Sequence, residues 1–218
     1  MLVFAHRGYH ADATENTLQA FVAAVELGVA GIETDVRLSR DGVPVVIHDR
    51  VTPGGHAVAD LTHAELAREL GHPVPALAEI LEALPAIHWN IEVKCPEALP
   101  AAVSVLRRFQ HCTILLTSFR HDVVVEAAGA LDVECGLLLA HRPLDAGPML
   151  AACSHLPRIR TVVWDYNIVD DGALQAVRER GWSNYAYGPV TAAEHAHCAT
   201  LGLAGLITDY PLPARSAP

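Results

Sequence analysis

Two acidic residues and a histidine that could act together lie around a predicted β-hairpin. Glu33 and Asp35 alternate along an apolar segment. Because successive side chains of a strand point to opposite faces, both carboxylates lie on the same face. The pair Asp41-Gly42 is typical of a two-residue hairpin turn, and the returning strand leads to His48. Local geometry therefore predicts two carboxylates and an imidazole close together.

Further charged residues stand where other predicted strands end. His6 and Arg7 follow the apolar segment 2–5, and Glu92 and Lys94 share one face of the predicted strand 87–94. The carboxyl ends of parallel strands in a barrel meet at one rim, where such side chains come together. Three carboxylates form an all-oxygen site, which suits Mg²⁺ or Ca²⁺ better than zinc or copper. The predicted ligands of this divalent metal are Glu33, Asp35 and Glu92.

The remaining four residues of the predicted rim favour chemistry at a phosphate. His6 and His48 can act as general base and general acid near neutral pH. Arg7 can bind an anionic oxygen bidentately, and Lys94 adds a compact positive charge. Taken singly, several residues of the rim have a simpler explanation: Glu92 and Lys94 could only pair with each other, His6 could be a core residue and His48 a surface residue. Their convergence on one rim favours a functional site.

Strands and helices alternate along the chain and predict a (β/α)₈ TIM barrel. Eight buried strands are expected, seven of them followed by helical segments, and the last helix is stunted because the tail after Pro211 is rich in proline. We interpret residues 1–218 as one domain. Residues 37–75 form the hairpin and a small insertion after strand 2, too short for a core of its own. An open, doubly wound sheet is the structural alternative. The predicted strands are 2–5, 30–36, 87–94, 113–117, 133–139, 160–164, 184–187 and 204–208.

Composition limits the classes of partner. Hydrophobic residues make up 51% of the chain and charged residues 18%, which is typical of a globular protein. The formal net charge of −10 argues against general binding to nucleic acid or anionic membranes. Five scattered cysteines suggest reduced thiols, and no apolar segment approaches the ~18 residues that a membrane span needs. With no signal-peptide pattern at its start, the chain is expected in the cytoplasm without stable membrane association. Nothing in the sequence indicates an oligomeric state.

The motifs and their order resemble the glycerophosphodiester phosphodiesterase family nearly end to end. The segment from residue 6 to residue 49 is highly specific in spacing and residue types. The motifs that carry the resemblance are His6-Arg7-Gly8, Glu15-Asn16-Thr17, Glu33-x-Asp35-Val36, Asp41-Gly42-x-Pro44-Val45-Val46-x-His48-Asp49, Asn90-Ile91-Glu92-x-Lys94, Ser118-Phe119 and Ile207-Thr208-Asp209-x-Pro211.

This resemblance implies a barrel of the phosphatidylinositol-phospholipase-C-like kind, a divalent metal, and hydrolysis of glycerophosphodiesters to glycerol 3-phosphate and an alcohol. It implies that His6 and His48 are the catalytic acid–base pair and that Arg7 and Lys94 bind the phosphate of a small-molecule substrate. It also suggests attack by the substrate's own hydroxyl and a cyclic phosphate intermediate. Under the same resemblance, the metal ligands are Glu33, Asp35 and Glu92.

Two departures from the family pattern concern the substrate. The family usually carries Trp-Thr-Val-Asn on the seventh strand, whereas this chain reads Tyr185-Ala-Tyr-Gly188, and the insertion after Asp49 is short. Both affect the side of the pocket that holds the glycerol or the leaving group. Two alternative functions are also compatible with the sequence. One is a phospholipase-D-like or sphingomyelinase-like lipid phosphodiesterase, and the other is a non-catalytic barrel that binds a phosphorylated ligand.

Overall fold

A computed structural model describes residues 1–212 of the chain. Its strands are β1 (Leu2–His6), β2 (Gly31–Leu38), β3 (Pro44–Val46), β4 (His88–Val93), β5 (Ile114–Ser118), β6 (Glu134–Leu139), β7 (Ile159–Asp165), β8 (Ser183–Tyr187) and β9 (Gly205–Thr208). Its helices are α1 (Leu18–Leu27), α2 (His63–Leu70), α3 (Leu77–Ala83), α4 (Leu99–Leu106), α5 (His121–Ala130), α6 (Ala146–Ala152), α7 (Asp171–Arg178) and α8 (Ala192–Thr200). Short 3₁₀ turns cover Val58–Asp60, Pro96–Ala98 and Tyr166–Ile168.

Eight parallel strands of the described chain close into a barrel, which confirms the predicted (β/α)₈ fold. They follow the order β1-β2-β4-β5-β6-β7-β8-β9, and β9 pairs in turn with β1. The extra strand β3 pairs antiparallel with the far end of β2, as the turn at Asp41-Gly42 predicts. Gly42 has a φ of 78°, a backbone conformation that glycine adopts without strain. The stunted last helix falls mainly on residues outside those described.

Strand periodicity divides the core into an inner and an outer part. Phe4, Tyr185 and Ile207 belong to a cluster of inward-facing side chains that fill the barrel. Their sequence neighbours on the same strands, such as Val3, Ala186 and Leu206, pack outward against the helices. The inner row continues from Phe4 to His6, so the same alternation that fills the barrel presents charged side chains at its carboxyl-terminal rim.

The segment 37–75 differs from expectation in one respect. It was predicted to be too short for a core of its own, yet four of its residues form a separate buried cluster, against which several half-buried neighbours pack. Helix α2 begins with a capping box, in which Thr62 and Glu65 satisfy each other's backbone N–H groups. This small cluster fixes the hairpin that leads to His48. The cluster consists of Val45, Val58, Leu66 and Val74.

Helix α1 is capped by Thr17 and not by the preceding Asn16, although asparagine is a preferred N-cap residue. The hydroxyl of Thr17 accepts from the N–H of Ala20 at 3.3 Å. Asn16 instead has a φ of 55°, in the left-handed region that few residues other than glycine adopt. Its side chain is engaged in the site described below.

Candidate active site

The seven residues that the sequence singled out meet at the carboxyl-terminal rim of the barrel. Six of them line one cavity of about 210 Å³, and the seventh, Asp35, lies against it in contact with Arg7 and Lys94. His48 reaches the cavity from the end of the hairpin. The full lining is His6, Arg7, Glu33, His48, Asn90, Glu92, Lys94, Thr117, Phe119, Leu138, Tyr187 and Ile207.

Three buried carboxylates form the acidic side of the cavity. Glu33, Asp35 and Glu92 each offer one oxygen, and these three atoms lie within 4.8 Å of one another. The register of the sheet explains this, because Asp35 on β2 is directly opposite Glu92 on β4. Lys94 Nζ lies 2.7 Å from Glu92 Oε1 and 3.3 Å from Asp35 Oδ1. The expected pairing of Glu92 with Lys94 therefore exists, but inside a larger cluster.

Crowding and burial perturb the ionisation of these carboxyls. Burial, together with the charge of Asp35, raises the pKa of Glu33 to about 8. Burial also raises the pKa of Glu92, although Lys94 opposes that rise. Asp35 behaves in the opposite way: burial disfavours its charge, but Lys94 and Arg7 outweigh burial and hold its pKa below the ordinary value.

This donor set fits a hard divalent cation. All three side chains offer oxygen, the ligand that Mg²⁺ and Ca²⁺ prefer. Asp35 Oδ1 is buried and accepts no hydrogen bond from any residue in the range 1–212. A cation bound between the three carboxylates would satisfy that oxygen and offset the repulsion among their charges.

Arg7 and Asn16 hold the acidic side in place from the loop after β1. The N–H of Arg7 donates to Glu33 Oε2 at 3.2 Å, and its Nε lies 3.3 Å from Asp35 Oδ2. Asn16 Nδ2 donates to the same Asp35 oxygen at 2.9 Å, while Asn16 Oδ1 accepts from the hydroxyl of Thr34. Arg7 has a φ of 54°, so both residues adopt the strained left-handed backbone that often marks functional loops. The sequence placed Asn16 in a motif but missed its contact with Asp35.

Each histidine of the predicted pair has a carboxylate at its Nδ1. His6 Nδ1 donates to Asp209 Oδ1 at 2.7 Å, and its Nε2 lies 3.7 Å from Glu33 Oε2. Burial opposes the charged form of His6, but Asp209 and Glu33 outweigh it and raise the pKa of the imidazole. His48 Nδ1 donates to Asp49 Oδ1 at 2.7 Å. In this case burial prevails and lowers the pKa of His48.

Asp209 is a site residue that sequence reasoning missed. It directly follows β9, and its Oδ1 accepts hydrogen bonds from both His6 and His10, the latter at 3.1 Å. Its neighbour Thr208 is held by the buried His195, whose Nε2 lies 2.8 Å from the Thr208 hydroxyl. The only signal in the sequence was its place in a motif at the end of the last strand.

The wall opposite the carboxylates is aromatic and apolar. Phe119 and Tyr187 meet edge to face, with ring centroids 5.9 Å apart, and Lys94 Nζ lies 5.8 Å from the centroid of Phe119. The segment Tyr185–Gly188, which departs from the family pattern, contributes to both the barrel interior and the cavity wall. Tyr185 packs inside the barrel, whereas Tyr187 lines the cavity. Burial and a hydrogen bond with Asp165 raise the pKa of the Tyr187 phenol.

Fold and site together define a (β/α)₈-barrel protein with an acidic cluster, two cationic side chains and two histidines around one rim cavity. Comparison with known proteins agrees with this class. Residues 6–212 match the model of the glycerophosphoryl diester phosphodiesterase family. The chain belongs to this family, which confirms the resemblance predicted from the motifs and the enzyme class, phosphoric diester hydrolase.

Individual relatives support the same conclusion. The chain is 28% identical over 239 residues to the glycerophosphodiester phosphodiesterase of Caldanaerobacter subterraneus, with 96% of this chain and 94% of the relative covered. It is 36% identical over 129 residues to the probable glycerophosphodiester phosphodiesterase 2 of Mycobacterium tuberculosis, a match that spans 54% of this chain and 48% of that relative.

Solved structures show the same fold. A phosphodiesterase of Oleispira antarctica, in complex with its product sn-glycerol-3-phosphate, superposes with a TM-score of 0.88 at 24% identity, covering 99% of this chain and 96% of that chain. The glycerophosphodiester phosphodiesterase of Thermotoga maritima gives a TM-score of 0.84 at 26% identity, covering 95% and 94%. Within residues 1–212, no helix has the length and apolar character needed to cross a membrane.

Proposed function

We propose that this protein hydrolyses glycerophosphodiesters to sn-glycerol 3-phosphate and an alcohol with the help of a bound Mg²⁺ or Ca²⁺ ion. The observation that carries the proposal is the single cavity shared by two histidines, two cationic side chains and a carboxylate cluster. The family membership and the named activity of the full-length relative from Caldanaerobacter subterraneus support the reaction. The product complex of the Oleispira antarctica protein supports the glycerol phosphate end of the substrate.

In this mechanism Glu33, Asp35 and Glu92 would hold the cation. When bound, it would supply positive charge to the non-bridging phosphate oxygens, where negative charge builds up in the transition state. Arg7 and Lys94 would bind the same phosphate group, since both cationic side chains line the cavity. Their charges would orient the phosphodiester as well as stabilise it.

His6 and His48 would move the protons. One imidazole would accept the proton of the attacking hydroxyl, either water or a neighbouring hydroxyl of the substrate, and the other would donate a proton to the oxygen of the leaving alcohol. Asp209 and Asp49 support this proposal because each binds Nδ1 and leaves Nε2 of its histidine available. Attack by the neighbouring hydroxyl would form a cyclic phosphate, which water would then open.

The test is turnover of glycerophosphocholine and bis-p-nitrophenyl phosphate, with added Mg²⁺ or Ca²⁺ and with EDTA. We expect EDTA to abolish activity and His6→Ala and His48→Ala each to lower kcat roughly 10²- to 10⁴-fold, the usual contribution of a general acid or base. His155, exposed and located before the amino-terminal end of β7, offers the control His155→Ala, for which we expect the parental rate. If both site variants keep that rate while folded, the acid–base assignment is wrong. If the parent hydrolyses neither substrate under any condition, the proposed function fails.

A further inference from the structure

Asn90 is a buried polar residue at the floor of the cavity that the proposed mechanism does not use. It lies on β4 two residues before Glu92, so both side chains share the inner face and Asn90 is one layer deeper in the barrel. The residue is only 1% exposed. A buried amide should have its hydrogen-bonding groups satisfied, and Asn90 satisfies only part of them.

The orientation of the Asn90 amide is determined by its neighbours. Its Nδ2 donates to the hydroxyl of Thr117 at 2.7 Å and to the carbonyl oxygen of Leu115 at 3.3 Å. A carbonyl can only accept, so the NH₂ group must face Leu115 and the amide cannot be flipped without losing that bond. The Oδ1 atom therefore points away from β5, and it accepts no hydrogen bond from any residue in the described range.

The surroundings of Asn90 suit an uncharged, partly apolar group. Leu138, Ile207 and Tyr187 form the neighbouring cavity wall. The lining carboxylates Glu33 and Glu92 belong to the acidic cluster. A neutral acceptor beside apolar side chains complements a carbon chain that carries a hydroxyl group, since the hydroxyl can donate to Oδ1 while the carbons contact the wall.

We propose that Asn90 Oδ1 accepts a hydrogen bond from a hydroxyl group on the carbon chain that stays attached to the phosphate when the alcohol leaves. Asn90 is thereby a specificity-determining residue, which selects phosphodiesters whose carbon chain carries a free hydroxyl over those whose chain has none. This inference rests on the proposed function and identifies the residue that reads one feature of its substrate. A site built to pair with a hydroxyl rejects the analogue that lacks it, because the buried acceptor then stays unpaired.

The experiment compares two substrates that differ only in hydroxyl groups. These are the p-nitrophenyl ester of glycerol 3-phosphate and the p-nitrophenyl ester of propyl phosphate, which share the leaving group and the three-carbon chain. The 2-hydroxypropyl and 3-hydroxypropyl esters then show which hydroxyl is bound. For each protein the measured quantity is the ratio of kcat/KM between hydroxylated and propyl substrate, which does not depend on the fraction of active enzyme.

We expect Asn90→Leu and Asn90→Ala to lower the parent's preference for the hydroxylated substrate roughly 10- to 100-fold. A preference that both variants keep in full comes from the hydroxyl as the attacking group and overturns the inference. Thr117→Val is the matched control: it removes a partner of Nδ2 but keeps Oδ1, so it should change both substrates by the same factor. If the Asn90 variants lower both substrates equally, Oδ1 binds a water molecule or only supports the fold, and the inference is overturned. If the parent shows no preference, the inference fails while the proposed function stands, and if the parent cleaves neither ester, both fail.

Discussion

Replacing Glu33 by glutamine should stabilise the metal-free protein at alkaline pH. Glu33 is buried beside Asp35, and its pKa is raised from 4.5 to about 8. An acid whose pKa is higher in the folded state than in the unfolded state keeps its proton on folding, so stability is greatest at low pH. The folded state loses this stability as pH rises from about 4.5 to about 8, because in that range the unfolded chain releases the proton while the folded protein keeps it.

The size of the effect follows from the shift. A rise from 4.5 to about 8, at 1.36 kcal/mol per pKa unit, sets an upper limit of about 5 kcal/mol above pH 8. Glutamine remains a buried polar group and keeps only part of the contacts with Arg7 and His6, which lowers the expected gain to about 2 kcal/mol. For a chain of 218 residues, this corresponds to a rise in Tm of about 4–8 °C. At about pH 5 the folded parent carries a neutral Glu33, so the variant loses this advantage, and the contacts that glutamine lacks should leave its Tm at or below that of the parent.

The assay is thermal unfolding of the parent and Glu33→Gln at about pH 5 and about pH 9, in EDTA and with Mg²⁺ or Ca²⁺. Added cation should raise the Tm of the parent at about pH 9 because it binds only the folded state, and should raise that of the variant much less. The exposed Glu26 on α1 provides the control Glu26→Gln, which should show no pH-dependent gain. If Glu33→Gln follows the parent at both pH values in EDTA, Glu33 is not destabilised by its neighbours and the reasoning from crowding is refuted.

Three further variants test the supports of the site. Asp209→Asn should lower kcat roughly 10-fold or more with little change in KM, because an amide can hold His6 in the wrong tautomer. The measurement is steady-state kinetics, with His10→Ala as the control because it spares the 2.7 Å bond between Asp209 and His6. Equal losses of kcat in the two variants would contradict this role of Asp209. Asn16→Leu should weaken the midpoint of cation activation about 10-fold, because Asp35 loses the bond from Nδ2, and an unchanged midpoint would exclude that role. Gly8→Ala should lower the free energy of unfolding, measured by chemical denaturation, by about 2–4 kcal/mol. The reason is that a Cβ at Gly8 would lie 2.8 Å from the Ala20 carbonyl carbon, at a φ of +83°. Gly42→Ala, also at positive φ but with open space around the new Cβ, should lower it clearly less.

Most of the fold could be predicted because its signals are local. Apolar segments, helix caps and short connections alternate along the chain, and their order alone indicates a (β/α)₈ barrel. The N-cap of α1 is an exception, because contacts distant in sequence decide it. Asparagine is a preferred cap, but the side chain of Asn16 bridges Asp35 and Thr34, which leaves the cap to Thr17.

The charged members of the candidate site were predictable for a related reason. Strand alternation places Glu33 with Asp35 and Glu92 with Lys94, and parallel strands bring their carboxyl ends to one rim. What alternation does not supply is how these groups ionise. Glu33 and Asp35 occupy equivalent positions on one strand, yet their pKa values shift in opposite directions because Lys94 and Arg7 approach Asp35 more closely.

Closure of the barrel explains why Asp209 escaped prediction. The residue is 203 positions from His6 along the chain, and no periodicity connects them. They meet only because β9 pairs with β1. Thr208 lies opposite Ala5, so the next residue on each strand end, Asp209 and His6, emerges at the same point of the rim. The contact between His6 and Asp209 needs β9, the last strand of the barrel, whereas the acidic cluster needs only β2 and β4. Mutations that loosen β9 should therefore disturb His6 before they disturb the proposed metal ligands, and activity should be lost while cation binding is retained.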